Sequence, residues 1–180
     1  MRFLGILLLP GLLAAQSTQA DVTGIPESDG VYYHAPSGWI GLPANPLLPM
    51  DDGNVRWILS LGRSPAIAEL SGPHAAVQIP SSRPIFHLRG FSPNNAIYLV
   101  RTTPKQDYRE IRMPMVNDMH NYARFRTQDL VDYNLTASGD GIATLTPKAD
   151  MKAGEYTIVS LYEPSMRGIR ISFDFGVTAK

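Results

Sequence analysis

The chain consists of short stretches in which apolar residues alternate with polar ones or follow one another directly, and most stretches end at proline or glycine. It has 15 prolines and 15 glycines in 180 residues, and beyond residue 20 no long stretch repeats its apolar positions at helical spacing. Such runs predict β-strands. The sequence therefore predicts an all-β protein, with strands at 31–34, 39–42, 55–61, 75–79, 85–88, 96–101, 108–113, 123–126, 133–137, 142–146, 155–162 and 170–177.

Three hairpins are predicted from the residues between neighbouring strands. The clearest lies in LTASGDGIATL, where residues 138–141 tolerate the positive φ of a tight turn. A second is expected to join 96–101 to 108–113, and a third to join 31–34 to 39–42. The proline-rich residues 42–50 cannot form a central strand, because proline lacks the ladder N–H, so a loop or linker is expected there.

A dozen short strands favour a sandwich or a barrel, and the segment LTPKADMKAGEYTIVSLY favours the sandwich. A strand ends at Pro147, a short loop follows, and the next strand carries Tyr156 near its start. This order resembles the tyrosine corner of immunoglobulin-like and fibronectin type III domains, in which the phenol reaches back to loop backbone. The expected fold is an immunoglobulin-like, Greek-key β-sandwich with an N-terminal β-hairpin extension.

A second resemblance covers more of the chain. The C-terminal strings GEYTIV and FDFGV, together with GVYY…GWIGL and VQIPSSRPIFHLR, are similar to segments of uncharacterised exported bacterial proteins. This resemblance implies an exported β-sandwich of bacterial origin. It implies no activity and no functional residue.

The first 20 residues have the composition of a secretory signal peptide. Arg2 supplies a positive start, residues 3–15 are apolar, and residues 16–20 are polar and end in Ala20. The apolar stretch is short for a membrane span, which needs about 20 residues. We therefore expect a cleaved signal at 1–20, an N-terminal β-hairpin and proline-rich linker at 21–50, and the sandwich at 51–180. The expected location is the periplasm or the exterior, without membrane insertion after cleavage.

Charge and cysteine content narrow the class of partner. The chain has 16 basic and 16 acidic side chains and no cysteine. Loss of Arg2 with the signal leaves 15 basic against 16 acidic side chains, so the mature protein has no general attraction to phosphate backbones. No nucleic-acid partner is expected, and disulfides cannot contribute to stability.

A methionine- and histidine-rich stretch is the sharpest local feature of the sequence. Thioether and imidazole groups are soft ligands suited to Cu(I), and their density within MPMVNDMH resembles the loops of exported copper carriers in composition only. The candidate metal ligands are Met113, Met115, Met119 and His120. The alternative is that these methionines pack under a loop and fill irregular gaps, with no cofactor bound.

Two groups of residues are candidates for a partner surface. Exposed aromatic side chains near the N-terminus would stack on sugar rings or anchor a protein, whereas buried ones would form cross-strand pairs of a hairpin. An excess of arginine between residues 101 and 126 indicates either a partner surface or ordinary solvated strand faces. The candidates are Tyr32, Tyr33, Trp39, Arg109, Arg112, Arg124 and Arg126.

No catalytic motif is recognisable in the sequence. There is no G-x-S-x-G elbow and no H-x-x-x-H pair for zinc, and His87 alternates with apolar residues as a strand-face histidine would. The predicted function is therefore an exported, non-enzymatic binding or structural protein with a protein partner in the bacterial envelope. A periplasmic copper-binding protein is the first alternative, and a secreted hydrolase without a recognisable motif is the second.

Overall fold

The computed structural model describes residues 22–46, 49–50, 66–91, 95–113, 125–162 and 170–179. Within these residues the structure has fourteen strands, one 3-10 turn at Thr127–Asp129 and no α-helix. The strands are β1 Gly30–Ala35, β2 Gly38–Gly41, β3 Ala44–Pro46, β4 Pro49–Met50, β5 Ala66–Ser71, β6 Gln78–Ile79, β7 Phe86–Arg89, β8 Asn95–Arg101, β9 Thr103–Pro104, β10 Tyr108–Met113, β11 Tyr133–Gly139, β12 Ile142–Pro147, β13 Gly154–Tyr162 and β14 Arg170–Val177.

The strands form three sheets. Sheet 1 has the order β11-β12-β7-β1-β2, sheet 2 has the order β3-β14-β13-β8, and sheet 3 has the order β4-β5-β10-β9. Every pairing is antiparallel except that of β6, which runs parallel to β14 in sheet 2. The all-β class predicted from the sequence is therefore confirmed.

Sheets 1 and 2 pack face to face around the main core. Phe86 of β7 contacts Phe175 of β14 with ring centroids 4.6 Å apart, and both side chains are fully buried. Within sheet 2, Tyr156 of β13 stacks on Phe175, its partner across the strands, with ring centroids 5.8 Å apart. The contact between Phe86 and Phe175 joins the two sheets through buried aromatic side chains of their inner faces.

Sheet 3 packs on the other face of sheet 2, so sheet 2 is the middle layer. In β13, Ile158 lies in the core shared with sheet 1, whereas Val159 lies in a second core together with Ala68 and Ile111 of sheet 3. Successive residues of a strand point to opposite faces. The continuous apolar run of β13 therefore follows from burial on both faces.

The N-terminal hairpin belongs to the main sheet. β1 pairs with β7 from Gly30↔Arg89 to Tyr33↔Phe86, which places β1 and β2 in sheet 1. The described part of the proline-rich segment that follows contains β3 and β4, each at an edge of its sheet, where a loop or linker was expected. Edge positions are where a strand tolerates proline.

Two of the three predicted hairpins are present, and one prediction is wrong. β1–β2 and β11–β12 pair as expected, with Asp140 at φ 49° and Gly141 at φ 71° in the second turn. The strands at 96–101 and 108–113 do not pair, because β8 belongs to sheet 2 and β10 to sheet 3. The chain changes sheets at buried Thr102, and β9 is the strand that pairs back onto β10.

Tyr156 makes the backbone contact expected of a tyrosine corner. Its hydroxyl donates a hydrogen bond of 2.7 Å to the carbonyl oxygen of Lys152, in the loop before β13. Burial raises the pKa of this phenol, and the nearby Arg101 partly opposes that rise.

The predicted strand at 55–61 lies outside the described residues, residues 125–126 are not in a strand, and β5 was not predicted.

Candidate functional site

The three aromatic residues proposed for a partner surface do not all lie on one side of sheet 1. Tyr33 points into the core, where its ring is 6.4 Å from that of Phe86. Tyr32 and Trp39 lie on the outer side of sheet 1, because β1 and β2 alternate. Tyr32 is 6% exposed and its hydroxyl donates to the Ser28 carbonyl oxygen at 2.7 Å. Tyr32 and Tyr33 therefore offer little exposed surface, while Trp39 is half-buried.

Two histidines flank Trp39 on the outer side of sheet 1. His34, directly opposite Trp39 in the β1–β2 pair, has its ring centroid 4.6 Å from the indole. His87 of β7 meets the indole edge-on at 5.1 Å. Three non-adjacent strand positions are thereby brought into one aromatic cluster.

The surroundings of His87 disfavour its protonated form and lower its pKa. Burial lowers its pKa below the ordinary value of about 6.5, and the neighbouring His34 lowers it further. Its Nδ1 lies 3.3 Å from the Thr144 hydroxyl, which also lies 2.8 Å from that of Ser138. The imidazole is therefore fixed in a chain of neutral hydrogen-bonding groups.

Part of the outer side of sheet 1 beside this cluster carries no formally charged side chain, and it lies between Arg89 at one end and Asp132 and Lys148 at the other. We define the histidine–tryptophan face as His34, Trp39, His87, Asn134, Thr136, Thr144 and Thr146, which share one side of the sheet by alternation and register, together with Ile85, the residue directly before β7. His34, Asn134 and Thr136 are exposed, and Ile85 is an exposed large hydrophobic side chain at 41%. The nearest arginine on this side, Arg89, lies opposite Ile142 at the end of the sheet away from Thr146.

The segment 22–29 covers the other part of this outer side. Ile25, Tyr32 and Ile142 form a small buried cluster there, with Val22 and Trp39 packed against it. The Trp39 indole N–H donates to the Thr23 carbonyl oxygen at 3.1 Å. Trp39 therefore borders both the covered part and the open face, and its orientation is fixed by the N-terminal segment.

Arg109 is buried between sheets 2 and 3 and presents no surface. The side chain is 2% exposed and donates to Asp174 Oδ2 at 2.6 Å, to the Gly72 carbonyl at 3.0 Å and to the Ser71 carbonyl at 2.7 Å. Register explains this placement, since Arg109 lies on the same side of β10 as buried Ile111. The prediction of Arg109 as part of a partner surface is corrected accordingly.

Two carboxylates surround Arg109. Asp174 also accepts a 2.5 Å hydrogen bond from the Asn45 amide. Glu155 lies 3.8 Å from the guanidinium and accepts from the Ala75 backbone N–H at 2.8 Å and from His74 at 3.0 Å. These side chains provide one another with hydrogen-bond and charge partners across β3, β10, β13 and β14, as buried charges require. The cluster therefore links sheet 3 to sheet 2.

The other arginines of the proposed surface lie apart. Arg112 points to the outer side of sheet 3, where it pairs with Glu110 at 3.1 Å. Arg126 pairs with Asp129 of the 3-10 turn at 2.6 Å. Arg124 lies outside the described residues. The described arginines therefore do not form one basic surface.

The proposed metal ligands fall almost entirely outside the described residues. Met113 is the last residue of β10, and Met115, Met119 and His120 are not described. Among the described residues, no group of three or more histidine, cysteine, aspartate or glutamate side chains could hold a metal ion. The copper site remains a prediction from the sequence.

Sequence reasoning missed that His34 and His87 both contact Trp39, and it missed the Arg109 cluster. The alternation in IFHL indicated that the His87 side chain lies on the face of the strand opposite to that of Phe86 and Leu88, and this prediction is confirmed. The signal for the cluster was charge within apolar strands, at Glu155 in GEYTIV and Asp174 in FDFGV. Which polar residue meets which depends on pairings between distant segments.

Comparison with known proteins found no matching family model, no matching curated protein and no matching solved structure. In the part of the chain that the structure describes, no helix is long and apolar enough to cross a membrane.

Proposed function

We propose that this protein is exported to the periplasm or the exterior and acts as a non-enzymatic binding protein, engaging a protein partner of the bacterial envelope through the histidine–tryptophan face. The observation that carries the proposal is the uncharged character of that face. It combines a half-buried indole, an exposed Ile85 and a row of hydroxyl and amide groups. The centres of protein interfaces are poor in charge and rich in aromatic side chains in the same way.

The face also has the rigidity that binding favours. Trp39 is held by His34, by His87 and by the Thr23 carbonyl. A side chain already fixed in one orientation loses little conformational entropy when a partner covers it. The buried His87 supports the indole from below and is not itself available for contact.

The immunoglobulin-like, Greek-key arrangement of sheets 1 and 2 is part of this proposal. The hydrogen bond from Tyr156 to the Lys152 carbonyl supports it, as does the face-to-face packing of two mostly antiparallel sheets. Sheet 3 is then an additional layer held to sheet 2 by the Arg109 cluster.

The proposal is tested by site-specific photocrosslinking in intact cells that export the protein. A photoreactive residue at Ile85 should give one adduct of defined mass, whereas the same residue at exposed Lys152, in the loop before β13, should not. A charge placed on the face by His34→Glu should abolish the adduct, because interface centres exclude unpaired charge. The control Thr127→Glu, in the exposed 3-10 turn, should leave the adduct unchanged. Equal labelling from both positions, or an adduct that survives His34→Glu, would contradict the proposal.

A further inference from the structure

The edges of the described sheets differ sharply in how they are protected. β3, β4 and β9 have two or three residues each, and every one contains a proline. β2, at one edge of sheet 1, has four residues. Short length and proline are common ways of preventing an edge strand from pairing with another chain.

The long edge strand β8 is covered by the chain itself. Leu130 forms an isolated bridge with Val100, and the backbone N–H of Val131 donates to the Leu99 carbonyl oxygen at 2.9 Å. These contacts occupy backbone groups on the edge of β8 that does not pair with β13. β8 is therefore not a free edge.

β11, at the other edge of sheet 1, has none of these protections. It is seven residues long, YNLTASG, and contains no charged residue and no proline. Residues 134–137 are exposed. Leu135 is 48% exposed, although it lies on the same side of sheet 1 as its buried partner Leu145 in β12. Within the described residues, no strand pairs with its outer edge. Such a strand is able to accept another strand by main-chain hydrogen bonds.

We infer that β11 pairs with β11 of a second copy of this chain, antiparallel and with Leu135 opposite Leu135. The regular part of β11 pairs with β12 from Tyr133 to Ala137, and a register shift follows before Gly139. Leu135 is the midpoint of that regular part. A two-fold axis there gives the greatest number of regular pairs, and closed two-fold dimers are the commonest homo-oligomers.

The side chains of β11 complement themselves in this register. The two Leu135 side chains would cover each other and remove an exposed apolar surface from water. Asn134 would lie opposite Thr136 of the second copy, an amide beside a hydroxyl, and Tyr133 opposite Ala137. No like charges meet, since the strand has none. An edge contact of this length buries less than the roughly 800 Å² per partner of a standard interface, so the dimer should be weak and depend on concentration.

The dimer would join two copies of sheet 1 into one continuous sheet. The histidine–tryptophan faces of both copies would then lie on the same side of this sheet, because residues directly opposite each other in a strand pair, here Asn134 and Thr136, point to the same side. A repetitive partner in the envelope would be bound at two points with increased avidity. The dimer itself does not depend on that binding function.

Sedimentation equilibrium of the purified exported chain tests the inference. The wild-type chain should shift from monomer to dimer between about 1 µM and about 1 mM, the range in which such small interfaces associate. Leu135→Lys should weaken association by about tenfold or more, because like charges directly opposite destabilise a strand pair. The matched control Leu130→Lys, at a residue that is 37% exposed and lies off this edge, should associate as the wild type does.

Mixing two charge variants tests the register. Leu135→Lys and Leu135→Glu should each associate more weakly than the wild type when alone and should form a heterodimer when mixed, because only then do opposite charges meet at the two-fold axis. Because the chain has no cysteine, Leu135→Cys should also form a disulfide-linked dimer on mild oxidation, and Leu130→Cys should not. A wild-type chain that stays monomeric throughout, or a Leu135→Lys variant that associates normally, would overturn the inference and leave β11 to a strand from a different protein.

Discussion

Arg109 and Arg112 lie three positions apart on β10 and have opposite surroundings. Arg109 points toward sheet 2 and is buried among carboxylates, whereas Arg112 points outward and is partly exposed beside Glu110. The same alternation separates Tyr32 from Tyr33. At the scale of single residues, the side of the strand decides what a side chain does, and residue type decides only what it is able to do.

The tyrosine corner gives a direct prediction at this scale. Tyr156→Phe should destabilise the protein by about 1 kcal/mol or more, because the partly buried Lys152 carbonyl oxygen loses its hydrogen-bond donor. The free energy of unfolding is measured by urea denaturation. The matched control is Tyr33→Phe, since the Tyr33 hydroxyl has no hydrogen-bond partner among the described residues, and this change should be close to neutral. An unchanged free energy of unfolding in Tyr156→Phe would show that this hydrogen bond does not stabilise the protein.

His87 should make the protein less stable in mild acid. Burial, and secondarily His34, lower its pKa in the folded state. Above about pH 6.5 the histidine is neutral in both states and contributes no pH dependence. As the pH falls below that value the unfolded state takes up the proton first, so the free energy of unfolding decreases until the pH reaches the lowered folded pKa.

Urea denaturation at several pH values between about 8 and 5 measures this effect, which spans the ordinary histidine range. His87→Gln should flatten the decrease. His34→Gln should retain most of it, because burial is the larger cause of the shift. Equal profiles for the wild type and His87→Gln would show that this imidazole is not responsible.

At the scale of elements, prolines decide which strands lie at the edges of the sheets, and side-chain contacts between sheets decide how the sheets are held together. The prolines of β3, β4 and β9 limit those strands to edges. The contacts of Arg109 with Asp174 and Glu155 join β10 to β14 and β13. The attachment of sheet 3 to sheet 2 therefore has a polar part besides its apolar core of residues such as Ile111 and Val159.

Arg109→Met should be strongly destabilising for this reason. Removing one member of a buried ion cluster leaves uncompensated carboxylates in a desolvated place and costs about 3–5 kcal/mol. The control on the same strand is Arg112→Met, where a partly exposed pair should cost less than about 1 kcal/mol. Thermal or urea unfolding of the two variants measures the difference. Similar stabilities would contradict a structural role for the cluster.

At the scale of the whole molecule, the proposed signal cleavage must leave intact an N-terminal segment that is part of the fold. Residues 22–29 cover part of the outer side of sheet 1, with Val22 packed against the Tyr32 cluster and the Thr23 carbonyl bound by Trp39. The proposed cleavage after Ala20 leaves this segment intact. A cut several residues later would remove the groups that hold Trp39.

The exported protein should therefore begin at Asp21, and intact mass spectrometry of the secreted or periplasmic fraction measures this. Ala20→Phe should block processing, because signal cleavage requires a small residue at that position. The control Gln19→Ala, one position earlier, should be processed normally. Recovery of the full 180-residue chain from the exported fraction would disprove the signal assignment.

Much of the element pattern was predictable because it is local. The alternation in β7 placed His87 on the face opposite Phe86, and the SGDG turn marked the β11–β12 hairpin, since both signals lie within a few residues. The expected hairpin between 96–101 and 108–113 failed because two adjacent β-prone runs do not reveal whether they share a sheet. Here the chain crosses from sheet 2 to sheet 3 at Thr102.

The sequence by itself determined the all-β class, the facing of individual strands and the absence of disulfide support. These follow from period-two patterning, turn residues and composition. Only the tertiary structure decided that His34 and His87 meet at Trp39, that Arg109 is buried with Asp174 and Glu155, and that no described strand pairs with the outer edge of β11. The physical reason is that strand pairing joins residues far apart in the chain, and no local pattern specifies which strands become neighbours.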